Sequence, residues 1–177
     1  NSVTFIGDWT FADCTSLKSI KLSDNLTTID HDAFNGCSVL TKIEIPHKVE
    51  LIKENAFENC PKLNTIICYG ETPQVETDLG LDVSTCLLKV PSIFYDDYKN
   101  HEYWGNFVNI ETIDVTYYKI EALANDNVMG NVIGGKYYWP GDTVRLEAVA
   151  YNGYEFKQWS DGSTENPRVF VAEKDVV

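Results

Sequence analysis

The stretch from Phe11 to Cys68 repeats itself every 23 residues, and this period restricts the fold more than any other feature of the sequence. Phenylalanine, cysteine, leucine and isoleucine each recur three times at that spacing. The leucine, the isoleucine and a following apolar residue form the pattern L-x-x-I-x-[LIC]. A period near 23 residues with this pattern predicts a solenoid in which each coil contributes one short strand.

Alternation within one repeat assigns the strand side chains to two sides. In the strand from Leu40 to Ile45, we expect Ile43 and Ile45 to point into the solenoid and Lys42 and Glu44 to point outward. The same rule applied to every repeat predicts outward rows along the sheet, where solenoids usually bind their partners. A plain solvated face is the alternative. The candidate ligand-binding residues are Ser19, Lys21, Lys42, Glu44, Thr65, Ile67, Tyr69 and Lys89.

The period breaks after Cys68. Residues 69–85 are rich in glycine, proline and acids, which predicts a loop inserted on the outer side of a coil. Leu88 to Pro91 then matches the earlier strands and predicts a fourth one. From Ser92 to Phe107 the pattern turns helical, and we expect Ser92 to be the N-cap residue. This C-terminal helical cap is predicted to cover the open end of the stack with four aromatic side chains, Phe94, Tyr98, Trp104 and Phe107.

Composition changes between residues 112 and 116, which predicts two domains, residues 1–113 and residues 114–177. In the second domain, alternation from Val144 to Ala150 predicts a half-buried strand. A turn signal at Ser160 to Ser163 predicts a hairpin between residues 154–159 and 168–171.

The repeat register already includes the first six residues, and no closing strand precedes Val177. We therefore expect a fragment, with further repeats upstream and a truncated second module.

The net charge and the short apolar runs of the chain disfavour two classes of partner, nucleic acid and the membrane interior. The chain has 27 acidic and 14 basic residues, and its net charge of -13 disfavours a nucleic-acid partner. No apolar run is long enough for membrane insertion. We expect a monomer without a cofactor.

Three of the five cysteines share one repeat position, which predicts packing rather than disulfide bonds. The sequence leaves the pairing of Cys68 and Cys86 open.

The sequence contains no recognised motif for catalysis or metal binding, so no catalytic or metal-ligating residue is predicted. His101-Glu102 has no second histidine in helical register for zinc. His31 and the other two histidines are interpreted as solvated turn residues. Cys37 is interpreted as a buried, inert thiol rather than a nucleophile. Residues 125–127 resemble half of a calcium loop, but Met129 stands where an oxygen ligand is needed.

Three adjacent aromatic residues, Tyr137, Tyr138 and Trp139, lie in a region rich in glycine and proline. Packing in the core or between the two domains is the favoured interpretation. Stacking on a sugar ring is the alternative.

The first half of the chain resembles the BspA-like leucine-rich repeats of bacterial surface proteins. The repeat follows the form I-x-x-x-A-F-x-x-C-x-x-L-x-x-I-x-I-P, most completely from Ile29 to Ile52. The likeness covers residues 3–110 and includes a closing segment built on Tyr98, Trp104 and Phe107. Thr10 in place of alanine, Cys68 in place of the Ile-Pro pair, and residues 69–85 depart from it.

The second half is similar to the Listeria-Bacteroides and internalin B-repeat modules. The residues that carry this likeness are Gly130, Val132, Gly134, Gly135, Tyr138, Gly141, Asp142, Val144, Leu146, Ala148, Gly153, Tyr154, Phe156, Trp159, Asp161 and Gly162. The resemblance implies a β-grasp-like fold for this module.

Together these features predict a mostly β protein of the α+β class, a leucine-rich-repeat solenoid with a helical cap followed by a small all-β module. The two resemblances imply a secreted or cell-surface bacterial protein. We expect a non-catalytic binding or adhesion module that recognises an extracellular or host protein through the solenoid sheet. A carbohydrate-binding accessory domain and a structural spacer in a longer stalk are the alternatives.

Overall fold

The structure, a computed structural model, describes residues 2–176 and divides the chain into two compact units, residues 1–115 and 116–177. Predictions that concern Asn1 and Val177 themselves lie outside the described residues. The strands are β1 (Phe5–Ile6), β2 (Thr28–Ile29), β3 (Lys42–Ile45), β4 (Leu51–Ile52), β5 (Thr65–Cys68), β6 (Gln74–Val75), β7 (Leu87–Pro91), β8 (Asn109–Ile113), β9 (Tyr118–Ile120), β10 (Gly130–Ile133), β11 (Lys136–Tyr138), β12 (Thr143–Ala150) and β13 (Arg168–Val171). Helix α1 (Tyr95–Asn100) lies between two 3₁₀ turns, Ser92–Phe94 and Trp104–Asn106.

The first unit is the predicted solenoid, and it carries two parallel sheets instead of one. The order of one sheet is β3-β5-β7-β8, and the order of the other is β1-β2-β4-β6. In both sheets the paired residues of the first three coils are 23 positions apart, as in Ile43 with Ile66 and Ile29 with Ile52. The second sheet consists of two-residue strands, which are too short to give an alternation signal in the sequence.

The core of the solenoid contains rows of aligned side chains, as the period predicts, and the phenylalanine row is one of them. The rings of Phe11 and Phe34 stack with centroids 5.1 Å apart and planes inclined by 12°. Phe34 and Phe57 stack at 5.6 Å and 15°. Phe34 and Phe57 are fully buried. This alignment confirms that successive coils place their side chains along one axis.

All five cysteines are free thiols, which confirms the packing interpretation of the cysteine row. Each buried thiol in the row donates a hydrogen bond to a carbonyl of the preceding coil. Cys37 Sγ donates to Phe11 O at 3.2 Å, and Cys60 Sγ donates to Phe34 O at 3.1 Å. The row therefore joins neighbouring coils without a covalent bond.

Two predictions about the solenoid coils are wrong. Ser19 and Lys21 are exposed but lie outside any strand, because no backbone hydrogen bond joins residues 18–21 to β3 in the described chain. Residues 69–85 are not simply an inserted loop, because β6 continues the second sheet and pairs Val75 with Ile52. Phe57 N–H also donates to Leu79 O at 2.9 Å, the bond that Phe34 makes to the next coil.

A glycine explains why the fourth coil lacks the aromatic signal of the repeat. Gly80 takes the position that phenylalanine holds in the earlier coils, with φ at +77°. A Cβ at this position would lie 2.6 Å from Glu58 Cβ. A side chain at this position would therefore collide with the preceding coil, and the neighbouring Leu79 is the fully buried side chain.

The helical segment after β7 is confirmed, but its predicted details are partly wrong. Ser92 is not an N-cap residue, since Phe94 precedes α1 and makes no side-chain capping bond. The four predicted aromatic side chains are all buried. The segment does not end the stack, because β8 follows it and pairs with β7 in parallel, Leu88 opposite Ile110. The segment is thus a connection between neighbouring strands.

The second unit is all β over its described residues, with a core of Ile120, Tyr138, Val144, Leu146 and Ala172. The predicted strand from Val144 to Ala150 is confirmed as part of β12, which pairs with both β10 and β13. The predicted hairpin is wrong, because residues 154–159 form no strand and β13 pairs with β12. Its turn is present, since Trp159 N–H donates to Ser163 O at 2.8 Å.

Val176 pairs with Ile120 in a parallel bridge, a contact near the end of the chain that the sequence did not predict.

None of the helices within residues 2–176 has the length and apolar character needed to cross a membrane.

Candidate binding surface

The outward side chains of the larger solenoid sheet lie in continuous rows because its strands are parallel and in register. One row passes from Lys42 to Thr65 and Leu87, and the next from Glu44 to Ile67 and Lys89. Strand β8 extends both rows by one residue. We call this surface the sheet face, and its members are Lys42, Glu44, Thr65, Ile67, Leu87, Lys89, Asn109 and Glu111.

Lys42, Glu44 and Tyr69 form a hydrogen-bonded group at one end of the sheet face. Lys42 Nζ lies 2.6 Å from Glu44 Oε1, and Tyr69 Oη donates to Glu44 Oε2 at 3.4 Å. The bond to Glu44 raises the pKa of Lys42. Partial burial, followed by the Glu44 charge, raises the pKa of the Tyr69 hydroxyl. Lys42 therefore stays protonated and the Tyr69 hydroxyl stays neutral at neutral pH.

The other end of the sheet face carries a second ion pair, in which Lys89 Nζ lies 3.0 Å from Glu111 Oε2. The half-buried side chain of Ile67 stands between the two pairs in the register of the sheet. Solvent screens exposed pairs of this kind, so they contribute little to stability. They can therefore be exchanged for contacts with a partner at small cost to the fold.

The structure brings six of the eight predicted residues together, Lys42, Glu44, Thr65, Ile67, Tyr69 and Lys89. Ser19 and Lys21 remain outside the sheet. Sequence reasoning missed Asn109 and Glu111, although a signal was present: Ile110 lies 22 positions after Leu88, the spacing that also separates Leu88 from Ile66. The intervening helical segment concealed that spacing.

The aromatic triplet of the second unit is divided between core and surface. Tyr138 belongs to the buried core, and its hydroxyl donates to Gly134 O at 2.7 Å, so its ring cannot stack on a ligand. Trp139 is half-buried and packs edge to face on Tyr117, with ring centroids 5.5 Å apart. Tyr137 is exposed. The triplet therefore does not form one aromatic platform.

A charged cluster that the sequence analysis missed crosses the coils beside the second sheet. His31 Nδ1 lies 2.8 Å from Asp30 Oδ1, and His31 Nε2 lies 2.9 Å from Glu76 Oε2. Lys53 Nζ also contacts Asp30 Oδ1, at 2.8 Å. The interpretation of His31 as a simply solvated residue is therefore incomplete. Asp8, Asp30 and His31 have the residue types of a metal site, but Lys53 already supplies a positive charge to Asp30.

Opposing effects set the protonation of this cluster. Burial raises the pKa of Asp30, but the hydrogen bonds from Lys53 and from the His31 backbone outweigh burial and bring it down to about 2. Burial and Lys53 lower the pKa of His31, whereas Glu76 and Asp30 raise it, and the net effect is a raised pKa. Folding therefore favours the protonated imidazole.

This cluster predicts a pH dependence of stability. Because folding raises the pKa of His31 above its ordinary value of about 6.5, its contribution is full below that pH and is lost as the pH rises through the raised pKa. Urea unfolding of the wild type and of His31→Gln is the measurement. We expect the stability advantage of the wild type to decline as the pH rises above about 6.5, the ordinary pKa of histidine.

Glu76→Gln is the matched variant, because it keeps the imidazole and removes the carboxylate that raises its pKa. The pH-dependent part of the stability should be smaller in Glu76→Gln than in the wild type. Equal pH slopes for the wild type and His31→Gln would contradict the prediction.

The cysteine thiols are placed for packing and not for nucleophilic attack. Burial, together with the neighbouring thiols, raises the pKa of Cys37 to about 11. Cys37 is fully buried, which agrees with its interpretation as an inert thiol. His101 lies within the helical segment. It accepts hydrogen bonds at Nδ1 from the backbone N–H groups of Tyr103 and Trp104. Its role is therefore local and structural.

Two family models match parts of the chain, one in each unit. Residues 1–79 match the BspA type leucine rich repeat region in six copies, and residues 119–177 match the divergent InlB B-repeat domain. A leucine-rich repeat protein from Bacteroides ovatus ATCC 8483 is similar in structure, with 22% sequence identity and a TM-score of 0.42 over 63% of this chain. The present chain spans 28% of the length of that protein. No curated protein matches the chain significantly. The chain is therefore similar to a BspA type leucine rich repeat region over residues 1–79 and to a divergent InlB B-repeat domain over residues 119–177.

Proposed function

We propose that this chain is a non-catalytic binding or adhesion module of a secreted or cell-surface bacterial protein. Its ligand is an extracellular protein, and the sheet face is the surface that recognises it. The observation that carries the proposal is the alignment of outward side chains in register across β3, β5, β7 and β8. Both family assignments support an interaction module, because repeat architectures present extended binding surfaces.

The composition of the sheet face fits a protein ligand. It alternates two ion pairs with the apolar side chains of Ile67 and Leu87, and the hydroxyl of Tyr69 adjoins it at Glu44. Protein interfaces combine an apolar centre with hydrogen-bonding groups at the rim. A surface of fixed strands also loses little conformational freedom when it binds.

Charge reversal at the sheet face is expected to weaken binding without unfolding the chain. Lys42→Glu places two acids side by side, since Lys42 Nζ now lies 2.6 Å from Glu44. We expect about a tenfold loss of affinity for the captured protein, because the reversed charge removes one complementary contact and repels the same group of the partner. The change in stability should stay within about 1 kcal/mol. The measurement is surface plasmon resonance against a panel of purified extracellular matrix and plasma proteins.

Lys62→Glu is the matched control, because Lys62 is exposed and lies outside the sheet face. It introduces the same change of charge and should leave binding unaltered. Equal losses for both variants would indicate a general charge effect and would remove the sheet face from the proposal.

The two alternative functions predict different results on the protein panel and on a glycan array. A carbohydrate-binding domain predicts a signal on a glycan array that Trp139→Ala abolishes. A structural spacer predicts no ligand on either the protein panel or the glycan array. A protein ligand that is sensitive to Lys42→Glu supports the proposal against both.

A further inference from the structure

Strand β10 is an open edge of the three-stranded sheet in the second unit. The strand order is β10-β12-β13, and no strand within residues 2–176 pairs with the outer side of β10. Natural proteins usually protect such edges with charged residues, proline or a bulge. The four residues of β10, Gly130–Ile133, include neither a charge nor a proline. The edge is therefore competent to pair with another strand.

The register shows which backbone groups face outward. Tyr151 N–H donates to Met129 O at 2.9 Å, so Met129 faces β12. In an antiparallel pair, alternate residues face the partner strand. Asn131 and Ile133 accordingly face β12, while the N–H and C=O groups of Gly130 and Val132 face away from it. In the described chain no backbone hydrogen bond outside the strand ladder reaches Gly130 or Val132.

A groove adjoins this edge. It has a volume of about 650 Å³ and lies between residues 122–127 and the segment from Gly130 to Gly135. We call it the β10 groove. Several of its lining residues are alanine or glycine, which allow another backbone to approach closely. Four extended residues span roughly 13 Å, so a peptide of that length would match β10 along its whole length.

Charge selects among possible peptides. Asp126 is the one ionisable residue among those that line the β10 groove. Its Oδ1 accepts a hydrogen bond from Val128 N–H at 2.8 Å, which fixes the carboxylate at the groove. A lysine or arginine side chain is the group that complements it.

We infer that the β10 groove binds an extended peptide segment of another protein, which adds a strand to the edge of β10 and places a basic residue beside Asp126. Main-chain hydrogen bonds to Gly130 and Val132 supply the affinity, and Asp126 supplies the preference for charge. This site lies in the second unit and is independent of the sheet face. Failure of either proposal leaves the other in place.

Nuclear magnetic resonance of the ¹⁵N-labelled full chain tests the inference. The probe is the pentapeptide Lys-Val-Thr-Val-Lys, acetylated and amidated at its ends. We expect saturable shifts of the amide resonances of Gly130 and Val132 at up to about 5 mM peptide. The same peptide with alternate backbone nitrogens methylated in the pairing register should give no such shifts. Absence of shifts with the unmodified peptide, or equal shifts with both peptides, would overturn the inference.

Variants separate the edge from the rest of the sheet. Val132→Pro removes an outward N–H but keeps the bonds of Asn131 and Ile133 to β12, so peptide binding should be lost. Ile133→Thr alters a side chain at the same edge and should bind as the wild type does. Asp126→Asn keeps the acceptor for Val128 and removes the charge, and we expect several-fold weaker binding at low ionic strength. If Val132→Pro fails to fold, the methylated peptide still decides the question.

Discussion

Replacement of Phe34 by alanine is expected to lower the free energy of unfolding of the solenoid by about 3 to 5 kcal/mol. The side chain is fully buried and stacks on Phe11 on one side and on Phe57 on the other, at 5.1 and 5.6 Å. Its removal leaves a cavity that three coils share and interrupts the row at its centre. Urea unfolding of the full chain, followed by far-ultraviolet circular dichroism, measures the loss.

Two further alanine variants make this prediction specific to the stack. Phe11 stacks on Phe34 and is only half-buried, so Phe11→Ala should cost less than Phe34→Ala. Phe5 is 52% exposed, and Phe5→Ala should cost less than about 1 kcal/mol. A loss below about 1 kcal/mol for Phe34→Ala would show that the ring rows do not hold the coils together.

The order of these three effects follows from the one-dimensional nature of a solenoid. Each coil contacts only its neighbours, so stability is close to a sum of coil and interface contributions. The central coil contributes to two interfaces in this row. The same alignment that packs Phe11, Phe34 and Phe57 inside also aligns the side chains outside. Packing in the core and the arrangement of the sheet face therefore have a common cause.

That common cause explains how much the sequence could predict. A period of 23 residues fixes which residues are neighbours in adjacent coils, and strand alternation fixes their side. The rows that contain Lys42, Glu44 and Ile67 follow from these two rules alone. The charged cluster was accessible to the same rules, because Asp30, Lys53 and Glu76 are also 23 positions apart. The sequence did not reveal it, because these three residues lie outside both the apolar repeat positions and the strand rows that were aligned.

The errors occurred where a local signal was used to infer a contact between distant residues. The glycines and proline of residues 69–85 do mark turns, but they do not show that β6 continues the stack. The turn at Ser160 to Ser163 is present, yet the partner of β13 is β12, more than twenty positions earlier in the chain. Turn chemistry is a property of a few adjacent residues. Strand pairing depends on the whole module.

The helical segment of the solenoid contains a second position at which a substitution is expected to destabilise the chain strongly. The indole of Trp104 is fully buried and donates from Nε1 to Pro73 O at 2.8 Å. Its ring contacts Tyr98, Tyr103 and Phe107, with centroids 5.5 to 5.8 Å away. The indole thus connects the helical segment to the turn that precedes β6. No repeat position predicts this contact, because tryptophan occurs once in the segment.

Trp104→Ala is expected to destabilise the solenoid by about 3 to 5 kcal/mol, since it removes a large buried side chain and leaves the Pro73 carbonyl without its donor. Trp104→Phe separates the two effects, because it keeps most of the ring contacts and loses the hydrogen bond. We expect this variant to cost about 1 to 3 kcal/mol. Urea unfolding of the full chain gives both values.

Trp9→Ala is the matched control, because Trp9 is 58% exposed in the first coil. Its cost should stay below about 1 kcal/mol. Tryptophan fluorescence provides a second measurement, since the buried indole should emit at shorter wavelength than the exposed one. If Trp104→Ala and Trp9→Ala destabilise the chain equally, the helical segment does not hold the fourth coil in place.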